Sequence, residues 1–450
     1  MHRPAESPVP WSAVCADARA AGARDADRMT AKAKPQVLIL GGGFAALESA
    51  FLMRMRLHDA VDIRLVSDHD NFVFRPNSIY VPFGSDPSSL LVGLHRPLGR
   101  RHINFERGRV AEVDPEARLV DLEDGQRFRY DKLIVATGAD TAAGEVPGLS
   151  EHAETIWTSE SMLGVRRRFQ EARDRARSGE RQRVLFLVPP NNKCSGPLYE
   201  IVFMLETWLR REGARDNVDI TWSTYEHGFI QAFGPRLHDL VTDEFRDRGI
   251  DGHTGEVVSE VRPGEVVYEG GATRGFDHLI AFPPYVSAVR YAGLPSDDRG
   301  FVRTDLETRL VSGRDDVYAP GDAGDFPIKQ AFLAFLQADA VADHIASDVR
   351  DEPFRQPFDS VSMCIMEMFD KATFAQVPVE LTGDPDLPVR VRPGADGDYK
   401  VGTSPVWRLG KKVLGFTVPM RFAAGEPFHA GRAWQLMDVG IGAMSGVLAD

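Results

Sequence analysis

Gln36–Leu52, QVLILGGGFAALESAFL, is the stretch whose reading decides the fold. Val37, Leu38, Ile39 and Leu40 are four successive apolar residues, the pattern of a strand buried on both faces of a parallel sheet. Gly41, Gly43 and Ala46 follow at GxGxxA spacing, and Ala46, Ala50 and Leu52 mark the apolar face of a helix. Strand, glycine turn and helix N-terminus in that order make a pyrophosphate cradle. The glycines let the backbone turn tightly and approach a ligand, and the helix end offers free N–H groups with partial positive charge. The stretch predicts a dinucleotide-binding βα unit in which Gly41, Gly43, Phe44 and Ala46 contact the cofactor.

Working outward, Val61–Val66, VDIRLV, reads as the neighbouring strand, and it ends at Ser67 and Asp68. A ribose-binding residue belongs at that strand end, so both are candidates. NFVFRPNSIYVPFG, Asn71–Gly84, reads as a loop whose aromatics suit a cofactor wall. Ile103–Arg129 alternates apolar and polar residues around a DG turn, as a β-meander does. Tyr130–Asp140, YDKLIVATGAD, is a second buried strand running into Ala136-Thr137-Gly138. A turn of small residues there lets backbone approach a bound dinucleotide. GxGxxA followed by a strand ending in ATG resembles flavoproteins built from two dinucleotide domains.

Ser159–Arg183 reads as a charged helix, and Arg183–Leu209, RVLFLVPPNNKCSGPLYEIVFMLETWL, begins a second strand–turn–helix unit. Its turn carries PPNNKCSG where an NADH-binding domain needs a second GxGxxG. This unit is therefore expected to keep its architecture without binding NAD, and Cys194 stands at its mouth. Strand VYA then enters Pro320-Gly321-Asp322. A carboxylate on that turn can accept hydrogen bonds from a polyol, which in this fold class is the flavin ribityl chain. Gly321 and Asp322 are accordingly expected to bind the cofactor. Lys329 precedes the expected helix Ala331–Val349, whose N-terminus would face the flavin pyrimidine edge. Beyond Phe354, period-two apolar positions around Cys364 suggest strands of a third domain. In the tail, Arg408, Lys411, Lys412, Arg421 and Arg432 against Glu426 are compatible with a membrane-surface contact.

Composition narrows the function class. The 450 residues carry a formal charge of -13, which excludes the basic surface of a nucleic-acid binder. Three cysteines, none in a CxxC pair, make neither a disulfide framework nor a zinc site, and no metal is expected. No apolar run reaches membrane-spanning length and the first thirty residues lack a signal-peptide core. The expectation is a cytoplasmic protein, peripheral at most on the inner face of the cell membrane. The fold class is α/β: two Rossmann-like dinucleotide-binding domains of glutathione reductase type plus a C-terminal α+β domain. Residues 1–34 are expected to be a disordered extension, or an over-long start with Met29 as the true beginning. Residues 35–150 and 300–350 are expected to form the first, cofactor-binding dinucleotide domain, 151–299 the second Rossmann-like domain without a GxGxxG turn, and 351–450 the C-terminal domain, where a membrane contact would lie.

Taken together, GGGFAALESA, the FVFRPN loop, YDKLIVATG, CSGPLYE, FPPY, GFVRTD, VYAPGDA and KQAFLAFLQA resemble the sulfide:quinone oxidoreductase family, kin of flavocytochrome c sulfide dehydrogenase flavoprotein subunits and of type II NADH dehydrogenases. CSGPLYE matches the family's Cys-x-Gly-Pro-x-Tyr-Glu signature. The resemblance implies FAD as cofactor, sulfide or another small sulfur compound as donor and a quinone as acceptor. It implies Cys194 and Cys364 as redox cysteines, Glu200 as proton shuttle and Lys329 as a partner of anionic reduced flavin. It also implies a peripheral membrane contact and is compatible with a homo-oligomer. A low-pKa thiol is expected at the reacting centre. Trp157 stands where many members carry a third cysteine, which leaves the sulfur substrate and its release open. An NADH:quinone oxidoreductase and a non-catalytic electron-transfer flavoprotein docking a partner protein are the alternatives.

Overall fold

The computed structural model describes residues 34–449. The extension expected over 1–34, with Cys15, lies outside the described residues except for Lys34. In chain order the first elements are β1 (Gln36–Leu40), α1 (Phe44–Leu57), β2 (Asp62–Ser67), β3 (Asn104–Arg107) and β4 (Lys132–Val135). A second set follows: β5 (Glu154–Thr155), α2 (Ser159–Arg177), β6 (Gln182–Val188), α3 (Gly196–Arg211), β7 (Val218–Thr224), α4 (Gly234–Arg248), β8 (Ile250–His253) and β9 (His278–Ala281). The chain continues through β10 (Val317–Tyr318) and α5 (Ala331–Arg350). It finishes with β11 (Val361–Glu367), β12 (Ala372–Leu381), β13 (Val389–Val391), β14 (Lys400–Ser404), α6 (Pro405–Ala424) and α7 (Gly431–Leu448).

Two five-stranded parallel sheets form the centre, flanked by smaller antiparallel sheets. The first has the order β10-β4-β1-β2-β3 and the second β5-β9-β6-β7-β8. The period-two geometry of β1 explains its unbroken apolar run. Val37 and Ile39 enter one core with α1 and α5, while Leu38 and Leu40 enter another with Val66, Leu133 and Val135. Meanders lie at 110–129 and 258–275. In the C-terminal part β12 pairs antiparallel with β11, β13 and β14.

One expected helix is shorter than its charge pattern suggested. α2 starts at a Thr158–Ser161 capping box and ends at Arg177 rather than Arg183. Gly179, at φ +94°, turns the chain, and β6 begins at Gln182. Among the described residues no helix is long and apolar enough to cross a membrane.

Candidate active site

The carboxyl ends of β1, β4 and β10 open onto one cavity of about 1050 Å³, which reaches the start of α3, β11 and α6. At its β1 end, Gly41 sits at φ +113°, and a Cβ there would lie 2.2 Å from the Ala136 carbonyl oxygen. The GxG turn and the ATG turn can pack together only because this residue is glycine. Gly43 caps α1 without any side-chain hydrogen bond, and a Cβ added to it would meet nothing within 4 Å. The first-turn amides of α1 thus face open space, as a phosphate site requires. α5 likewise starts at Gln330 without a side-chain cap.

The cavity gathers most of the residues singled out in the sequence. Gly41, Gly43, Phe44, Ser67, Asp68, Ala136, Thr137, Gly138, Asp322, Lys329, Cys194, Glu200 and Cys364 all line it. Two do not. Ala46 is fully buried in the core beneath α1, so its smallness serves packing of the helix on the sheet rather than ligand contact. Gly321, at φ +71°, packs against Ala45 and Ala334, and its N–H donates to the Gln337 amide oxygen at 2.9 Å. Its backbone shape brings Asp322 to the cavity instead.

Cys194 follows β6 and Cys364 lies within β11, 170 residues apart in sequence. Neither is in a disulfide. The Cys194 backbone N–H donates to the Asn192 side chain at 3.0 Å, which fixes the PPNNKCSG turn. The expected low-pKa thiols are not found: burial, aided by the Asp322 charge, pushes Cys194 up to about 12, and burial beside Glu200 pushes Cys364 up to about 12. The Gly196 N–H at the start of α3 opposes the rise at Cys194 and the Lys411 charge opposes it at Cys364, but burial outweighs both.

Glu200 connects the two cysteine-bearing regions. Its Oε1 accepts the Glu367 backbone N–H at 2.8 Å and a Lys411 ammonium N–H at 2.7 Å. Burial raises its carboxyl pKa and Lys411 opposes the rise. Burial lowers Lys329 to about 7, and Asp322 opposes that shift. The Lys329 ammonium donates to the Gly324 carbonyl and lies 3.8 Å from the centre of the Phe301 ring. Asp322 itself is raised by burial and accepts the Gln330 backbone N–H.

Trp157 also borders the cavity, with the Arg75 guanidinium 4.2 Å from its ring centre and Arg75 Nη1 donating to its carbonyl at 2.9 Å. Tyr285 packs edge-on against Trp157 at 5.3 Å. Arg75, Tyr285 and Lys411 were not singled out from the sequence. The first two fall in the FVFRPN and FPPY segments, where the signal was a motif rather than a residue. Lys411 was counted only as a charge of the tail. That tail is less basic outside than its sequence: Arg421 is buried and bonded to the Pro427 carbonyl, Lys411 is paired with Glu200 and Arg408 with Glu367 at 2.7 Å.

The turn of the second sheet is closed on itself. Asn192 Nδ2 donates to the carbonyls of Phe282 and Pro283 at 2.9 and 3.2 Å, and half-buried Glu226 accepts from Ser195, Thr224 and the Gln231 N–H.

Residues 35–184 match the family described as pyridine nucleotide-disulphide oxidoreductase. Over those residues the chain is similar to that group of enzymes. Among its relatives in this group is the sulfide-quinone reductase of Aquifex aeolicus (strain VF5), 26% identical over 381 residues, which span 79% of this chain and 85% of that one. Another is the external alternative NAD(P)H-ubiquinone oxidoreductase B2, mitochondrial, of Arabidopsis thaliana, 23% identical over 330 residues, 65% of this chain and 55% of that one. The crystal structure of the Aquifex aeolicus sulfide:quinone oxidoreductase superposes with a TM-score of 0.77 at 22% identity, covering 90% of this chain and 95% of that one. The protein is an FAD-dependent oxidoreductase. The glycine-lined, uncapped helix start at Gly43 fits such a dinucleotide.

Proposed function

We propose that the enzyme oxidises sulfide, or a related small sulfur compound, at Cys194 and Cys364, and passes the electrons through FAD to a quinone. The observation that carries this reading is the placement of two cysteines, far apart in sequence and on different elements, on the wall of one cavity. FAD would lie with its pyrophosphate at Gly41–Gly43 and the uncapped start of α1, its ribose at Ser67 or Asp68, and its ribityl chain at Asp322. When bound there, FAD supplies the two-electron sink.

The protein's own groups perform the sulfur chemistry. With Cys194 and Cys364 joined as a disulfide, a hydrosulfide anion attacks one sulfur. The S–S bond breaks, a persulfide forms on the attacked cysteine and the other leaves as thiolate. That exchange is redox-neutral; when the thiolate closes on the persulfide to a sulfur bridge, the S–H proton leaves to a nearby base and the two electrons released would be taken up by FAD. Glu200, between Cys364 and Lys411, is placed to take a proton from that region and to return it. Met363, Leu414, Val418, Phe335 and Phe428 make the cavity wall apolar near β11 and α6, which suits a quinone ring.

A membrane contact is supported by an apolar ridge rather than by charge. Leu409 and Phe416 on α6 are 64% and 69% exposed, and Leu436 and Val439 on α7 are 76% and 71% exposed. Such a ridge suits the boundary between lipid headgroups and acyl chains, where a quinone would enter.

The NADH-oxidising alternative needs backbone open to a second pyrophosphate. The PPNNKCSG turn instead spends Asn192 and Ser195 on internal hydrogen bonds. Anaerobic mixing with sulfide and, separately, with NADH tests the reading. Sulfide is expected to bleach the flavin and NADH to leave it oxidised; bleaching by NADH alone would replace this proposal with the alternative.

A further inference from the structure

The two cysteines are not held alike. Cys364 lies within β11 opposite Ala375 of β12, so the strand ladder fixes its backbone. Cys194 lies in the turn between β6 and α3, where the backbone is in neither helix nor strand. A thiol on a free turn samples many positions, and sulfurs exchange bonds only when they meet in line. Cys194 therefore depends on other anchors.

Asn192 supplies the most direct one. Its side chain is buried, and both ends of the amide are used. Nδ2 donates to the carbonyls of Phe282 and Pro283 at 2.9 and 3.2 Å, and Oδ1 accepts the Cys194 N–H at 3.0 Å. Two carbonyls on one side and an N–H on the other allow one orientation of the amide. An ionised Asp would bring no donor and a Leu neither kind of group. The Asn192 carbonyl in turn accepts the Tyr225 O–H at 3.1 Å.

Neighbouring contacts hold the turn from other sides. The Asn191 carbonyl accepts the Tyr285 N–H at 3.0 Å, and the Lys193 carbonyl accepts the Lys329 N–H at 3.2 Å. Ser195 Oγ donates to Glu226 at 3.3 Å. The Asn191 bond already ties the turn to the FPPY segment. What Asn192 adds is a grip on the Cys194 amide itself. Rotation about χ1 is then the main freedom left to the thiol, which faces the Gly196 N–H and lies near enough to Cys364 for a charge there to be felt.

We propose that Asn192 is a positioning residue for the sulfur chemistry, clamping the Cys194 amide to the FPPY segment so that the Cys194 sulfur is held where it can join Cys364. This rests on the cysteine reading above. Asn192 acts through Cys194 and is not among the residues that line the cavity. Without it the turn loosens. The Cys194–Cys364 bond becomes harder to close and hydrosulfide attack on it less well aligned, while the path by which sulfide enters is unchanged.

The test compares Asn192→Ala with Asn217→Ala. The second variant deletes a similar bond, from Asn217 Nδ2 to the Ala176 carbonyl at 2.9 Å, at the opposite end of the second sheet. Each holoenzyme is equilibrated anaerobically with mixtures of oxidised and reduced glutathione. As the Cys194–Cys364 disulfide forms, two electrons and two protons pass to oxidised glutathione, giving two reduced molecules. The disulfide fraction is read by alkylation and peptide mass spectrometry. Asn192→Ala is expected to shift this equilibrium about tenfold toward the dithiol. It is also expected to slow flavin bleaching at saturating sulfide by about 10²-fold, with the half-saturating sulfide concentration unchanged. Asn217→Ala is expected to change neither. A wild-type equilibrium in Asn192→Ala, or an equal shift in Asn217→Ala, overturns the positioning role and leaves the cysteine reading intact. Should Asn192→Ala not fold, Tyr225→Phe carries the test, since it removes only the O–H that holds the Asn192 carbonyl. A shift of about fivefold is then expected, and a wild-type equilibrium overturns the role. Wild-type enzyme in which no Cys194–Cys364 disulfide forms at any glutathione ratio overturns the cysteine reading together with this one.

Discussion

Gly41 and the two cysteines show how much individual residues decide here. A Cβ at Gly41 would penetrate the Ala136 carbonyl and sit on a backbone with φ +113°. Gly41→Ala is expected to cost on the order of 3 kcal/mol and to abolish FAD retention, read by denaturant unfolding and by flavin absorbance after gel filtration. Cys194 and Cys364, raised to about 12 by burial, hold only about one thiolate in 10⁵ at pH 7 by simple titration arithmetic. In the cofactor-free, reduced protein their alkylation by iodoacetamide should therefore climb about tenfold per pH unit from 7 to 10, followed by peptide mass spectrometry. A plateau below pH 9 would mean that a cation faces the sulfurs. Residues that line the cavity were legible where type and spacing both spoke: Cys194 in CSGPLYE and Asp322 after VYAPG. Ala46 and Gly321 were read as ligand contacts because motif spacing marks a position without saying whether it faces ligand or core. Lys411 was hidden because a cation on an amphipathic helix looks the same whether it meets water or a buried glutamate.

At the scale of elements, the packing of α1 on α5 and on the α6–α7 turn carries a signed pH dependence. The Glu48 carboxyl is raised from its ordinary 4.5 to about 8 in the folded protein, so the folded state binds more protons than the unfolded state between those values. Stability conferred by the protonated group is fully present below 4.5 and is lost as pH rises to about 8. Wild type should lose stability relative to Glu48→Gln between pH 5 and 8 in parallel urea titrations. A constant difference across that range would place the Glu48 proton elsewhere. Arg248 of α4 joins Glu206, Glu244 and Asp370 at 2.8–3.0 Å and is buried. Arg248→Met would leave Glu206 and Asp370 to Arg210 and Glu244 to Lys371, and should destabilise by about 1–3 kcal/mol. Strands were legible as elements wherever both faces were apolar, as in β1 and β6. The end of α2 was not, because Arg and Asp continue past Arg177 and only Gly179 signals the turn.

For the whole molecule, the sequence carried the first parallel sheet and the repeat of that plan, since GxGxxA, ATG and PGD turns each follow a buried strand. That the two sheets share one cavity with the C-terminal strands was not visible, because no local pattern says that β11 and the loop after β6 meet. The outward face of α6 and α7 also emerged only in three dimensions. Phe416→Asp together with Leu436→Asp should reduce sedimentation with anionic vesicles at least tenfold while leaving sulfide-dependent flavin bleaching unchanged, the ridge being remote in role from the cysteines. Equal sedimentation of variant and wild type would remove the ridge from the membrane contact. The central claim is that electrons enter at Cys194 and Cys364. Anaerobic stopped-flow of the oxidised holoenzyme with sulfide, for wild type, Cys194→Ser and Cys364→Ser, tests it most directly. The account predicts rapid flavin bleaching in wild type and at least a 10²-fold loss in each variant; wild-type bleaching rates in both variants would contradict it.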